Sequence, residues 1–196
     1  MLQTSAINQR TQTQSLKQTY ALIKSDMQFR CDYEHKEFTL IRTLIFLSNQ
    51  TVMSQVLYRL QMFFYLNQLW RVASVIEGLN SLIYTVRIDC NTQIGAGFLL
   101  LHANYINIGK NVTIGKNCIM AHQNSIMAAF KADRWVDESD QGPTVGDHVL
   151  LGAGSSLYGA IEIGSYSKIS ANSAVDKSHP AYSVLFGVPA RNFRLV

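Results

Sequence analysis

The chain has 196 residues, of which 47% are hydrophobic and 15% are charged, and its formal net charge is +4. This composition predicts a well-packed globular protein and excludes a disordered chain. The positive charge is not gathered into a Lys/Arg run with interleaved aromatic residues, so no nucleic-acid partner is predicted. The three cysteines are widely spaced without a CxxC pair, which argues against a disulfide framework or a zinc knuckle and indicates the reducing cytoplasm.

Residues 1–86 are predicted to form a helical domain. The polar segment 1–18 is expected to be a flexible arm, and it lacks the apolar run of a secretory signal. From Leu40 to Leu79 apolar residues recur at helical intervals. The most apolar stretch, Val56 to Val86, carries too many polar residues for a membrane span and predicts one or two buried amphipathic helices.

From residue 87 to residue 196 the pattern changes to an aliphatic residue followed by glycine, with a period of six. Such a period fits neither a helical stripe nor a simple alternating strand, and it indicates a parallel β-solenoid with turns of about 18 residues. Two interruptions stand out. Two residues are inserted around His102, and between Met127 and Thr144 the repeat gives way to charged residues and Trp135. The second interruption predicts an excursion loop over 127–144.

The stretches RIDCNTQIGAGFLLLHAN and PTVGDHVLLGAGSSLYG and the terminal GVPAR resemble the serine acetyltransferase branch of the hexapeptide acyltransferases, which includes bacterial O-acetyltransferases of capsule and exopolysaccharide sugars. The segment from about Ile23 to Tyr84 resembles the N-terminal domain of that branch more loosely. The resemblance implies a mainly β fold, a left-handed parallel β-helix preceded by an α-helical N-terminal domain. It also implies acyl transfer from acetyl-CoA without a metal.

In that branch a histidine after the first full turn deprotonates the acceptor hydroxyl, and His102 in LLLHAN matches it. An imidazole, whose unperturbed pKa is about 6.5, can take this proton near neutral pH and return it to the departing thiolate. A structural role at a corner is the alternative, and the local break in register favours catalysis. The family's acidic partner falls at Arg87, so the nearest acid, Asp89, is the candidate for orienting the imidazole.

Two further departures concern the acceptor. The acid that holds an amino-acid ammonium group in serine-specific members is Leu101 here, and a second histidine of the family is Gly142. These losses remove charges suited to a small zwitterion and predict an acceptor that is neutral or larger, and the expected function is O-acetylation of a sugar hydroxyl of a polysaccharide or its precursor. The alternative is a serine O-acetyltransferase of cysteine biosynthesis.

The remaining candidate residues concern acceptor and donor binding. His122 lies about one turn beyond His102, and Trp135 offers an indole for stacking on a sugar ring or adenine, although a polar corner and a subunit contact explain them equally well. By the resemblance, Gly152, Ala153, Ser170 and Ala171 would line the groove for the pantetheine arm of CoA, while Lys168 and Arg191 would meet its nucleotide phosphates.

The resemblance further implies a homotrimer with each active groove between subunits. The helical domain could add contacts between two trimers, or could approach a membrane from outside through aromatic and basic residues. These residues are Tyr58, Arg59, Phe63, Phe64, Tyr65, Trp70 and Arg71.

Two other classes of function remain open. A carbonic anhydrase of this fold binds its metal through three histidines, two of them in an H-x4-H pair, and the five histidines of this chain contain no such pair. A metal site is therefore not predicted. A solenoid scaffold without catalysis is the other class, and it would tolerate loss of the His102 imidazole.

Overall fold

The computed structural model describes residues 13–46, 48–128 and 141–193, in which four helices precede fifteen strands. The helices are α1 (Leu16–Tyr33), α2 (Leu40–Phe46), α3 (Gln50–Leu66) and α4 (Trp70–Tyr84). The strands are β1 (Val86–Ile88), β2 (Gln93–Ile94), β3 (Leu99–Leu100), β4 (Ile106–Ile108), β5 (Thr113–Ile114), β6 (Ile119–Met120), β7 (Ser125–Met127), β8 (Thr144–Val145), β9 (Leu150–Leu151), β10 (Ser156–Tyr158), β11 (Glu162–Ile163), β12 (Lys168–Ile169), β13 (Ala174–Val175), β14 (Val184–Phe186) and β15 (Arg191–Asn192).

Polar side chains fix the starts of the two longest helices. The backbone N–H of Gln18 donates to Ser15 Oγ at 3.2 Å, and the N–H of Ser15 donates to Gln18 Oε1 at 2.7 Å. This reciprocal capping box satisfies two backbone donors at the start of α1. Helix α1 therefore begins inside the segment 1–18 that the sequence predicts to be flexible. Asn49 Oδ1 caps α3 by accepting from the N–H groups of Thr51 and Val52.

The strands form three sheets along a solenoid. Sheet A contains β1, β4, β7, β10 and β13, sheet B contains β2, β5, β8 and β11, and sheet C contains β3, β6, β9, β12, β14 and β15. All pairs are parallel except β14 with β15. Each turn visits A, B and C in order, so the turns between sheets form three corners, called here the A–B, B–C and C–A corners. The predicted left-handed parallel β-helix with preceding helices is confirmed.

The aliphatic residue of each repeat points inward and stacks on its counterpart in the next turn. In sheet A this column is at most 1% exposed, and burying it removes a continuous strip of apolar surface from water. Its members are Ile88, Ile108, Ile126, Leu157 and Val175. The corresponding columns are Ile94, Ile114, Val145 and Ile163 in sheet B, and Leu100, Met120, Leu151, Ile169 and Leu185 in sheet C.

The strand register locates both interruptions of the repeat. A regular turn has 18 residues, as in the pairing of Asn107 with Ser125. The first turn has 20, because Leu100 pairs with Met120, and the extra residues lie in the C–A corner that contains His102. Between β5 and β8 the step is 31 residues, from Thr113 to Thr144. The thirteen extra residues fall in the A–B corner, where the sequence predicts the excursion loop.

The helices close the first turn of the solenoid, whose carbonyl groups have no preceding strand. Side chains of α1 and α3 donate to these carbonyls in place of a strand. Tyr58 Oη donates to the carbonyl of Thr92 at 3.0 Å, and Gln61 Nε2 donates to that of Ile88 at 2.7 Å. Gln55 donates to the carbonyl of Phe98. Covering an open sheet edge in this way removes a site of non-specific strand pairing.

Arg59 of α3 binds both the first turn of the solenoid and helix α1. Its guanidinium donates to the carbonyls of Ile94 at 2.7 Å and Gly95 at 2.6 Å, and it forms a two-pronged ion pair with Asp26 at 2.8 and 3.0 Å. Asp26 also accepts from the N–H of Phe98 at 2.9 Å. Burial raises the pKa of the Asp26 carboxyl, and Arg59 opposes that rise. Arg59 is 2% exposed, so its charge is stabilised by these partners rather than by water.

These contacts correct two predictions about the helical half. Tyr58 and Arg59, predicted as candidates for a surface on a membrane or a neighbouring trimer, are buried against the first turn. Only α3 of the predicted buried pair is largely covered. In α4 the buried residues are Ala73 and Asn80, and an apolar row is exposed: Val72, Val75, Leu79, Leu82 and Ile83. Among the described residues no helix is both long and apolar enough to cross a membrane.

Candidate active site

The C–A corner brings together most of the candidate residues. His102 follows β3, His122 follows β6, Gly152 and Ala153 follow β9, and Ser170 and Ala171 follow β12. Because β3, β6, β9 and β12 are neighbours in sheet C, these segments lie above one another on successive turns. The proposed base, one acceptor candidate and the proposed pantetheine groove therefore follow one edge of the solenoid.

His102 projects from the corner that contains the two extra residues. Its side chain is exposed, while its neighbour Ala103 is 4% exposed and is packed in the core. Its ring lies edge-to-face against that of His122, with centroids 5.6 Å apart and planes at 72°. Neither ring makes a hydrogen bond or an ion pair with another described residue. No described residue therefore occupies the ring nitrogens of either imidazole.

Asp89, predicted to orient His102, lies at a different corner. It follows β1 in the A–B corner, and its Oδ1 accepts from the backbone N–H of Asn91 at 2.8 Å and from Asn91 Nδ2 at 3.2 Å. This local turn explains an aspartate at this position. No contact among the described residues links Asp89 to His102, and its catalytic role stays a prediction.

Arg87, which occupies the place of the family's acid, forms an ion pair that the sequence did not predict. Its Nε lies 3.3 Å from Glu77 Oε1, with side-chain exposures of 61% for Arg87 and 17% for Glu77. Glu77 Oε2 also lies 3.4 Å from Cys90 Sγ. Burial and Glu77 raise the pKa of the Cys90 thiol to about 11, so the thiol stays protonated. Sequence reasoning missed Glu77, although it is the acidic residue of α4.

The proposed pantetheine groove is built from closely packed turns. A Cβ at Gly152 would lie 2.6 Å from the backbone nitrogen of Ala171, so the position admits glycine and no larger residue without a shift. No described group accepts a hydrogen bond from the N–H of Ala153 or Ala171. These two backbone donors are available to a ligand in the groove, as expected for recognition through backbone amides. Ser170 is half-buried beside them.

The two cations predicted to meet CoA lie on sheet C. Lys168 is exposed on β12, two residues before Ser170, and its strand pairs with β9 and β14. Arg191 is exposed on β15 at the far edge of the same sheet, opposite Phe186. The structure thus separates the two by one strand, and their role in binding stays a prediction.

The excursion loop contains two of the sequence's candidates. Trp135 lies outside the described residues. Gly142, which replaces a family histidine, is buried at the end of the loop, where a Cβ would lie 2.8 Å from the carbonyl oxygen of Lys110 and 2.9 Å from Val112 Cγ2. Close packing against the A–B corner therefore explains the glycine. In the described ranges no cluster of three or more His, Cys, Asp or Glu side chains could hold a metal ion.

Comparison with known proteins supports the family. The family model described as "Hexapeptide repeat of succinyl-transferase" matches residues 105–126 and 144–177. The serine acetyltransferase of Haemophilus influenzae is 32% identical over 121 residues, covering 61% of this chain and 43% of the relative. That of Staphylococcus epidermidis is 30% identical over 125 residues, covering 64% and 56%. The chain spans about half the length of these curated relatives.

Solved structures agree on the fold. A crystal structure of serine acetyltransferase in complex with coenzyme A from Brucella abortus has a TM-score of 0.81 at 23% identity, covering 96% of this chain and 72% of that chain. The soybean serine acetyltransferase apoenzyme has a TM-score of 0.75 at 25% identity, covering 89% and 68%.

These relatives overturn the predicted sugar acceptor. Proteins from bacteria and plants that match this chain at 28 to 35% identity are serine acetyltransferases, so the alternative interpretation is the better supported one. The prediction failed because it inferred the acceptor's charge from single positions. Leu101 and Gly142 remove charges locally, but a fold can supply charges from other elements. The chain thus contains the repeat of that family model over residues 105–126 and 144–177, and the relatives it matches are named serine acetyltransferases.

Proposed function

We propose that this protein is an acetyl-CoA-dependent serine O-acetyltransferase in which His102 is the general base. The observation that carries the proposal is the match to serine acetyltransferases over 61 to 64% of the chain. The position of His102 supports it, because the exposed imidazole lies in the C–A corner with the two extra residues, and the open amides of the groove lie in the same corner on later turns.

The reaction is a direct transfer between the two substrates. His102 takes the proton from the serine hydroxyl while the hydroxyl oxygen attacks the thioester carbonyl carbon. As the tetrahedral intermediate collapses, the C–S bond breaks, and the imidazolium returns the proton to the CoA sulfur. The products are O-acetylserine and CoA with a free thiol, and no covalent enzyme intermediate is needed. Binding both substrates at one corner makes the attack effectively intramolecular.

Acetyl-CoA fits the C–A corner as donor. The backbone N–H groups of Ala153 and Ala171 donate to amide oxygens of the pantetheine arm, with Gly152 and Ser170 in the wall. Lys168 and Arg191 approach the phosphates as charged donors, which are effective partners of anions.

Serine is a zwitterion and requires both a cation and an anion in the acceptor site. The exposed Arg87 guanidinium and the Glu77 carboxylate supply this pair. Arg87 lies on β1, two residues after Thr85, and Thr85 Oγ1 accepts from the N–H of Tyr105 at 3.1 Å in the same corner as His102. The Arg87–Glu77 pair can open to bind the carboxylate and the ammonium group of serine. His122 and Trp135 remain candidates for acceptor contacts.

The proposed enzyme is a homotrimer that acts in the cytoplasm. Apolar side chains on the outer face of sheet C support a subunit contact there, with Leu150 36% exposed, Val184 38% and Phe186 58%. The exposed apolar row of α4 supports a further contact, either between trimers or with a membrane surface. The three cysteines are buried and unpaired, which is consistent with a reducing compartment.

An acceptor panel tests the function. Purified full-length protein is mixed with acetyl-CoA and either L-serine or a set of neutral sugars, and release of the CoA thiol is measured together with the mass of the acetylated product. We expect O-acetylserine and serine-dependent thiol release. D-serine and L-alanine are the matched controls, because the first changes the geometry and the second lacks the hydroxyl. Thiol release that depends on a sugar, with none for L-serine, would contradict the proposal.

A further inference from the structure

The His102 imidazole has no acidic partner in the structure described. Asp89 is held in a turn with Asn91 at the A–B corner, and Arg87 stands where the family has its acid. The His102 ring packs edge-to-face against that of His122, at a centroid distance of 5.6 Å. A general base needs a fixed ring orientation so that one nitrogen faces the acceptor hydroxyl, and among the described residues no carboxylate supplies it.

His122 is held firmly by its surroundings. Its carbonyl accepts from the N–H of Gly154 at 2.9 Å. The next residue, Gln123, donates its N–H to the carbonyl of Asn104 at 2.9 Å, which ties this turn to the His102 corner. Asn124, 1% exposed, donates to the carbonyl of Gly152 at 2.7 Å and to Ser155 Oγ at 2.8 Å. The half-buried His122 ring therefore stands on a backbone that is hydrogen-bonded to the turns on both sides.

We propose that His122 is the positioning residue for His102, and that its ring, through the edge-to-face contact, takes the place of the family's acid. This inference rests on the proposed function of His102 as base. Aromatic rings prefer this arrangement because the positive edge of one meets the negative face of the other. The contact limits rotation of the exposed His102 ring, and the register of 20 residues between Leu100 and Met120 sets the two histidines opposite each other.

The proposal differs from a role of His122 in acceptor binding. A positioning residue acts on the chemical step, so its loss lowers kcat and leaves the KM for serine nearly unchanged. An acceptor contact acts on binding, so its loss raises that KM.

Three variants separate these roles. His122→Ala removes the ring, His122→Phe keeps a ring without its nitrogens, and His148→Ala removes a histidine from the B–C corner as the matched control. We expect His122→Ala to lower kcat by about 10-fold to 100-fold, as for a misplaced catalytic group. We expect His122→Phe to recover most of this loss, and His148→Ala to match the wild type. Thermal unfolding of each variant verifies that it is folded.

Two outcomes of the kinetics would overturn the proposal. One is a rise in the KM for serine with unchanged kcat, and the other is an equal loss of kcat in His122→Ala and His122→Phe. An activity-independent measurement keeps the test apart from the proposed function. In NMR spectra of histidine-labelled protein, His122→Ala should shift the ring signals of His102, and His148→Ala should leave them in place. Unchanged His102 signals in His122→Ala would overturn the positioning role even if serine is acetylated, whereas a wild type that does not acetylate serine refutes only the proposed function.

Discussion

Two corners of the solenoid both carry exposed aromatic rings, and they use them differently. At the B–C corner His148, Tyr166 and Tyr182 occupy equivalent places in successive turns and form a ring stack, with centroids 4.7 and 5.1 Å apart and planes within 5°. At the C–A corner His102 and His122 meet at 72° without stacking. The B–C corner repeats without interruption, whereas the first C–A corner holds two extra residues.

The same repeat thus arranges exposed rings in two different ways. Where the register is strict, equivalent side chains are superimposed and each ring covers the next. Where two residues are inserted, the exposed His102 ring meets the His122 ring at a steep angle instead of stacking on it.

The largest expected effect is on catalysis at the C–A corner. His102→Ala should lower kcat for acetyl transfer to L-serine by about 10²-fold to 10⁴-fold, because general-base catalysis contributes this much. The measurement is thiol release under saturating substrates. The matched control is His148→Ala, which removes an exposed histidine from the stacked corner and should stay within about twofold of wild type. If both variants kept wild-type activity, the C–A corner would not be the catalytic corner.

A smaller effect should separate acceptor binding from catalysis. Arg87→Ala should raise the KM for L-serine by about 10-fold to 100-fold, because one charge-assisted hydrogen bond to the serine carboxylate is lost. The KM for acetyl-CoA should change little. Lys17→Ala, which removes an exposed cation from α1, serves as the control for net charge. An unchanged KM for serine in Arg87→Ala would refute the Arg87–Glu77 pair as the acceptor site.

The smallest effect should come from the ring stack. Tyr166→Ala removes the central ring and should lower the free energy of unfolding by about 1 to 2 kcal/mol, since aromatic pairs contribute about 0.5 to 1.5 kcal/mol each beyond burial. Urea denaturation measures this loss. Acetyl transfer should be unchanged, because the B–C corner is separated from His102 by sheet C. A fall in kcat in a folded Tyr166→Ala protein would contradict the assignment of catalysis to the C–A corner alone.

The solenoid could be predicted in some detail from the sequence, because its rules are local. Each turn buries one aliphatic residue per face, so aliphatic residues recur every six positions in the sequence, as at Ile108, Ile114 and Met120. Insertions are visible for the same reason, since any extra residue shifts the phase of everything after it. The two residues beside His102 and the excursion after Met127 were both located in this way.

The roles of single polar residues could not be predicted, because they depend on distant partners. Arg59 and Tyr58 look like surface residues in a helix, yet they cap carbonyls some 35 residues away in sequence. Asp89 is close to the expected position of the acid in sequence but turns toward another corner. The role of Glu77 could not be predicted, because its partner Arg87 lies on β1, which packs against α4.

The sequence by itself determined the repeat, the inward columns and the position of the exposed histidine, since steric and hydrophobic preferences act within each turn. The tertiary structure decided which polar groups meet. The His102–His122 contact, the Arg87–Glu77 pair and the buried cap of α3 arise only when turns stack and helices pack on them. Hydrogen bonds and ring contacts depend on distances of a few ångströms between residues far apart in the chain, and no local pattern encodes them.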